Sequence, residues 1–117
     1  MWALLLFTNG GRAADNPAKG AAVFERQCAL CHTIVKGAPN RFGPNLFGIT
    51  ERKAGIAPGY AYSPEFITMA NWTWSRSGIA SFVVAPALTI PGNKMSVFPG
   101  VADRDVDDLT AYLATQK

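Results

Sequence analysis

Cys28 and Cys31, three residues apart and followed directly by His32, are the residues of this sequence best suited to chemistry. The chain has no other cysteine and no other histidine. Two cysteines this close cannot staple a distant loop, so the spacing points to chemistry rather than to a structural disulfide. Cys-x-x-Cys-His is the attachment sequence for a c-type haem. Thiols at i and i+3 lie on one helical face, from which they can add to the two vinyl groups along one porphyrin edge. His32 then projects beneath the ring, where a neutral imidazole is a good iron ligand. Two other chemistries use paired cysteines. A thioredoxin-like dithiol expects a βαβ context, and no strand pattern is present. A zinc site needs about four ligands, and a carboxylate would have to complete the set here. One covalently bound haem c, with its iron, is therefore the expected cofactor.

The single histidine restricts the second axial position. Bis-histidine ligation within one chain is ruled out. Methionine, lysine, a weak oxygen ligand or an open position remain. The methionines are Met1, Met69 and Met95. Met95 ends Ile90-Pro91-Gly92-Asn93-Lys94-Met95, a turn-rich loop able to bring a side chain over an open haem face. A loop methionine also serves commonly as a gap-filler. Methionine paired with histidine raises the reduction potential, because the soft thioether favours ferrous iron.

The elements that must position these groups are helical. Asn16 or Asp15 can cap a helix with Pro17 at its first position. Gly20, Phe24, Cys28 and Cys31 then fall on one face, which places the cysteine pair at the helix end. Residues 33–62 are punctuated by Gly37, Pro39, Gly43, Pro44, Gly48, Gly55, Pro58 and Gly59 and read as loop. A connection of about thirty residues without regular structure is unusual in a compact domain and needs something to wrap around. Ser63-Pro64-Glu65 starts a short helix towards Ala70. Thr73 is expected to cap the next, with Trp74, Ile79, Phe82 and Val83 on its apolar side and Pro86 ending it. A second loop covers Ala87 to Val101. Asp103 opens a last helix whose buried stripe is Val106, Leu109, Tyr112 and Leu113. The fold class is all-α.

The 117 residues favour one domain, and 49% apolar residues make the chain globular. A net charge of +3, without a dense Lys/Arg run, excludes a nucleic-acid patch and suits weak attraction to acidic protein surfaces. No stretch approaches the ~20 apolar residues of a membrane span. Residues 1–14 read as a remnant of a secretory signal or as an N-terminal extension, with a short apolar run and small residues at Gly10-Gly11-Arg12-Ala13-Ala14. The domain is then 15–117.

From Gly20 to Tyr112 the chain closely resembles the class I cytochromes c, in particular the small bacterial periplasmic carriers related to mitochondrial cytochrome c. Gly20-x-x-x-Phe24-x-x-x-Cys28-x-x-Cys31-His32 is similar to the family's first helix and haem site. Gly43-Pro44-Asn45-Leu46 is similar to its proximal loop, and Pro91-Gly92-x-Lys94-Met95 to its ligand loop. The resemblance implies the cytochrome c fold, His32 and Met95 as axial ligands, and the Pro44 carbonyl as acceptor for the histidine Nδ1–H. It implies Arg52, Tyr62 and Trp74 as partners of the haem propionates, Trp74 standing 21 residues before Met95 as in the family. Leu109-x-x-Tyr112 implies a last helix crossing the first near Gly20. Departures are a phenylalanine at 82 where many relatives have tyrosine, Asn93 where they often have threonine, an inserted residue within Phe66 to Trp72, and few lysines. The first two alter hydrogen bonding on the distal side.

The resemblance further implies a non-enzymatic, monomeric, soluble electron carrier. Its expected partners are a membrane cytochrome bc-type complex and a terminal oxidase or photosynthetic reaction centre, and its expected place is the bacterial periplasm. A peroxidase-like haem enzyme and an electron-transfer subunit of a larger redox enzyme are the alternatives. The first needs an open iron position, and no second histidine is present as a distal acid or base.

Overall fold

The computed structural model describes residues 15–117. The expected leader, residues 1–14, lies outside the described residues. Five α-helices occur among the described residues: α1 (Pro17–Gln27), α2 (Pro64–Met69), α3 (Arg76–Val84), α4 (Pro86–Thr89) and α5 (Asp103–Thr115). A 3-10 turn covers Lys94–Val97. The all-α expectation holds: no strand is present among these residues, only an isolated antiparallel bridge between Lys53 and Thr73. No helix among them is long and apolar enough to cross a membrane.

Local chemistry explains the helix boundaries. Asn16 caps α1 by accepting from the Lys19 N–H at 3.1 Å, ahead of Pro17. The helix stops at Gln27, one residue before the cysteine pair, rather than carrying it. The Cys28 carbonyl instead accepts from both Cys31 N at 3.0 Å and His32 N at 2.9 Å, so the pair and the histidine form a tight turn on the helix end. Ser63 caps α2 through the Phe66 N–H, as its Ser-Pro-Glu start implies.

Three boundaries depart from expectation. Thr73 does not cap α3; Ser75 does, accepting from Gly78 N at 3.0 Å. The backbone of 72–74 is engaged elsewhere: Trp74 N donates to Arg52 O at 2.8 Å and Ala54 N to Trp72 O at 2.9 Å. That pairing with residues 52–54 holds Thr73 and Trp74 out of the helix. Pro86 starts the four-residue α4 rather than merely ending α3, since proline fits a first helical position. The second loop contains a 3-10 turn around Met95.

The frame is the crossing of α1 and α5. At Gly20 a Cβ would overlap the Asp108 carbonyl oxygen and stand 2.7 Å from the Tyr112 Cβ. Only glycine permits so close an approach. Around it, Asp108 Oδ1 accepts from Asn16 N at 2.9 Å and the Phe24 and Tyr112 rings lie 5.9 Å apart. Arg76, the first residue of α3, donates to the Asp107 carbonyl at 3.1 Å, Thr110 Oγ1 at 3.2 Å and Asp15 Oδ1 at 3.0 Å. One guanidinium thus binds the start of α3 to α5 and to the residue ahead of the α1 cap. Leu109, fully buried, carries α5 from this junction to the interior.

Replacing Gly20 with alanine would gain a fraction of a kcal/mol in helix propensity but overpack the crossing. Gly20→Ala is expected to lose about 2 kcal/mol net. Urea unfolding should show a lower midpoint at an unchanged slope.

Candidate functional site

The helices leave an apolar cavity between α5, α3 and the long loop, with a volume of about 1090 Å³ including its open mouth. Cys28, Cys31 and His32 line one side, Met95 lines another, and Pro44, Arg52, Tyr62 and Trp74 complete the set singled out from sequence. Met69, the other described methionine, is 45% exposed on α2 and does not line the cavity. Met1 lies outside the described residues.

On the histidine side, His32 Nδ1 donates to the Pro44 carbonyl at 2.8 Å. That bond sets the tautomer and leaves the Nε2 lone pair free. Burial holds the imidazole below its usual range, against the Pro44 bond; the Arg52 charge acts in the same sense as burial. A neutral imidazole with one free nitrogen is a metal-ligand form. Gly43 makes room for it: a Cβ there would overlap His32 Cε1 and sit 2.7 Å from Nδ1. The Gly43 N–H donates to the Cys31 carbonyl at 2.7 Å, so the loop folds back onto the cysteine turn.

The proximal loop is built by its asparagines. Asn45 Nδ2 donates to the Val35 and Ala38 carbonyls at 2.8 and 2.9 Å, and its Oδ1 accepts from Phe47 N at 2.7 Å. Asn40 ties this loop to the next, donating to the Pro58 carbonyl at 2.9 Å. Composition marks these positions only as turn residues; their partners depend on the folded path.

Arg52 donates to the Asn45 and Phe47 carbonyls at 3.1 and 3.2 Å while its guanidinium reaches the cavity. The Tyr62 hydroxyl accepts from Ala57 N at 3.0 Å, and its ring stacks on Phe66 at 5.0 Å. Trp74 is buried, edge-on to Phe82 at 5.5 Å. Lys94 at the mouth donates to the Ala61 carbonyl and lies 5.3 Å over the Tyr60 ring. Arg52 and Lys94 are cations on the lining, and no aspartate or glutamate is among the lining residues. Such a site takes a large apolar guest with an anionic edge.

The chemistry of the cysteines narrows the guest. Burial, with the neighbouring Cys31 adding to it, pushes the Cys28 thiol up to about 12. A dithiol redox centre needs the opposite shift, towards the thiolate. Among the described residues no group of three or more His, Cys, Asp or Glu side chains is arranged to hold a bare metal ion, which disfavours zinc.

The Cytochrome c family profile matches residues 17–117. The chain belongs to the cytochrome c family. It is 41% identical to a cytochrome c2 of Rhodoblastus acidophilus over 105 residues, covering 89% of this chain and 95% of the relative. It is 46% identical to a cytochrome c of Theileria annulata over 99 residues, 84% of each chain. A cytochrome c2 of Rhodopila globiformis is 37% identical over 109 residues, covering 92% of this chain and the whole of the relative. Cytochromes c are electron carriers that bind one haem c covalently, with its iron, and this chain has Cys28 and Cys31 for it. The cavity fits such a group: a thiol pair on one side, a neutral imidazole against Gly43, apolar walls, and two cations for the carboxylates of a porphyrin edge.

Gly43→Ala is expected to push the His32 ring away from the Pro44 carbonyl and to cost about 2 kcal/mol of stability. A urea midpoint equal to the parent's would show that the imidazole is not held against that glycine.

Proposed function

We propose that this cytochrome c is a soluble single-haem carrier moving one electron at a time between a membrane cytochrome bc-type complex and a terminal oxidase or photosynthetic reaction centre. The observation that carries the reading is the opening of Cys28, Cys31, His32 and Met95 onto one cavity. Cys28 and Cys31 would hold haem c as thioethers, and His32 and Met95 would ligate its iron. Bound there, haem c supplies a one-electron Fe(II)/Fe(III) couple. Pro44 keeps the imidazole oriented through its Nδ1–H. Arg52, Tyr62 and Trp74 would meet its propionates, with Arg52 steadied by its two carbonyl partners. The apolar walls and the Arg52 charge penalise added positive charge in the cavity, which favours the reduced state.

Met95 in the site supports a carrier over a peroxidase-like enzyme, since a filled sixth position excludes peroxide. The names of the relatives, cytochrome c2 and cytochrome c, support the partner classes. The net charge of +3 and Lys94 at the cavity mouth suit brief docking on acidic surfaces. Residues 1–14 are a remnant of a secretory signal or an N-terminal extension, 15–117 form the cytochrome c domain, and the protein works as a monomer in the bacterial periplasm. Covalent haem attachment through this sequence supports that place.

The ferric protein is expected to show a sulfur-to-iron charge-transfer band in the red that is lost in Met95→Ala. Its intact mass should equal the mature chain plus one haem. A high-spin ferric spectrum in the parent would favour the enzyme reading, and two alkylatable thiols on a haem-free chain would remove both.

A further inference from the structure

We propose that Asn93 is the positioning residue that keeps Met95 in the site, by capping two elements with one buried amide; this rests on Met95 being the ligand. Asn93 is only 4% exposed. Its Nδ2 donates to the Pro86 carbonyl at 2.9 Å and to the Ile90 carbonyl at 2.7 Å. Its Oδ1 accepts from the Met95 N–H at 2.6 Å. The two carbonyls belong to the first residue and the C-cap of α4; each already accepts one backbone N–H, from Ile90 and from Asn93 respectively, and the amide gives each a second donor. The Met95 N–H is at the start of the 3-10 turn, where it has no partner within that turn. One side chain therefore ties α4 to the start of the 3-10 turn.

The orientation of the amide follows from chemistry. Both donors face carbonyls and the oxygen faces an N–H; turning the amide over would set oxygen against two carbonyl oxygens and nitrogen against a donor. The anchor is firm on the α4 side, since Ile90 is fully buried and Asn93 N also donates to Ile90 O at 3.1 Å. Phe66 and Phe82, edge to face at 6.2 Å, line the cavity with rings that carry no donor. Met95 packs against the core, and Asn93 connects the backbone of its loop to α4. A serine or threonine has one oxygen and can serve the Met95 N–H, but not two carbonyls as well.

Release of Met95 is read by the rate at which imidazole binds the ferric holoprotein, since the added ligand enters only when the thioether leaves. Asn93→Ala is expected to speed imidazole binding about tenfold or more, as loss of neutral buried hydrogen bonds predicts. Asn93→Ser, the milder variant, keeps an acceptor for the Met95 N–H and is expected to be about threefold faster. Arg76→Ala is the stability control: it breaks hydrogen bonds at the α3–α5 junction, away from the cavity. It should lower the urea midpoint without matching the acceleration. Asn93 variants that exchange no faster than Arg76→Ala, at equal loss of stability, would overturn the proposal while leaving Met95 as ligand. Absence of the sulfur-to-iron band in the parent would instead overturn the ligand reading on which it rests.

Discussion

The structure depends on a core whose centre is supplied from outside the chain. The buried side chains, from Phe24 and Leu109 to Ile79, Phe82 and Trp74, form a shell, and the open-mouthed cavity is set into it. A chain of this size can bury only a modest core of its own. The helices accordingly cover only part of the guest, and the long loop and the distal loop around Met95 cover the rest. The long loop has little regular structure, so its stability must come from side-chain bonds and from contact with what it encloses. A covalent guest suits this arrangement: it cannot leave when the loop opens, so the shell need not be rigid everywhere.

The loops are nonetheless not slack, and asparagines are the reason. Asn45 and Asn93 make the same set of bonds, two donors to carbonyls and one acceptor for a backbone N–H two residues on. One stands in the proximal loop beside Pro44, the other in the distal loop beside Met95. Each replaces a turn of helix or a ladder of strand bonds with one amide, in the manner of an Asx-turn. Neutral amides are suited to this role in an apolar shell, because a carboxylate there would face carbonyl oxygens and carry a desolvation cost.

Much of this arrangement is legible in the amino-acid sequence, and the divide is physical. The cysteine pair, His32 and the glycine and proline spacing are local signals, and the cavity unites the groups they mark. Gly20 is readable because a glycine on the buried face of a helix marks a place where another backbone comes close. The boundary of α3 is not readable. Thr73 is as good a cap as Ser75 by local propensity, and only pairing with residues 51–54, about twenty positions earlier, decides between them. Nor is the role of Asn93: the sequence marks it as a departure in a turn, while its three partners depend on how α4 folds back. The four-residue α4 itself is too short to leave a periodic trace.

The two sides of the cavity are held by different means, and this bears on what each can do. On the histidine side, the Pro44 bond, the wall of Gly43 and the turn on the Cys28 carbonyl all constrain the same ring within a few residues of chain. Losing any one leaves the others. On the methionine side the restraint passes through a 3-10 turn and one amide to a helix of four residues. Short helices have little stability of their own. The distal loop is therefore the element most able to open without global unfolding, while the proximal turn opens only with the fold. An electron carrier tolerates this asymmetry, since the group it holds need only stay in place through each brief encounter.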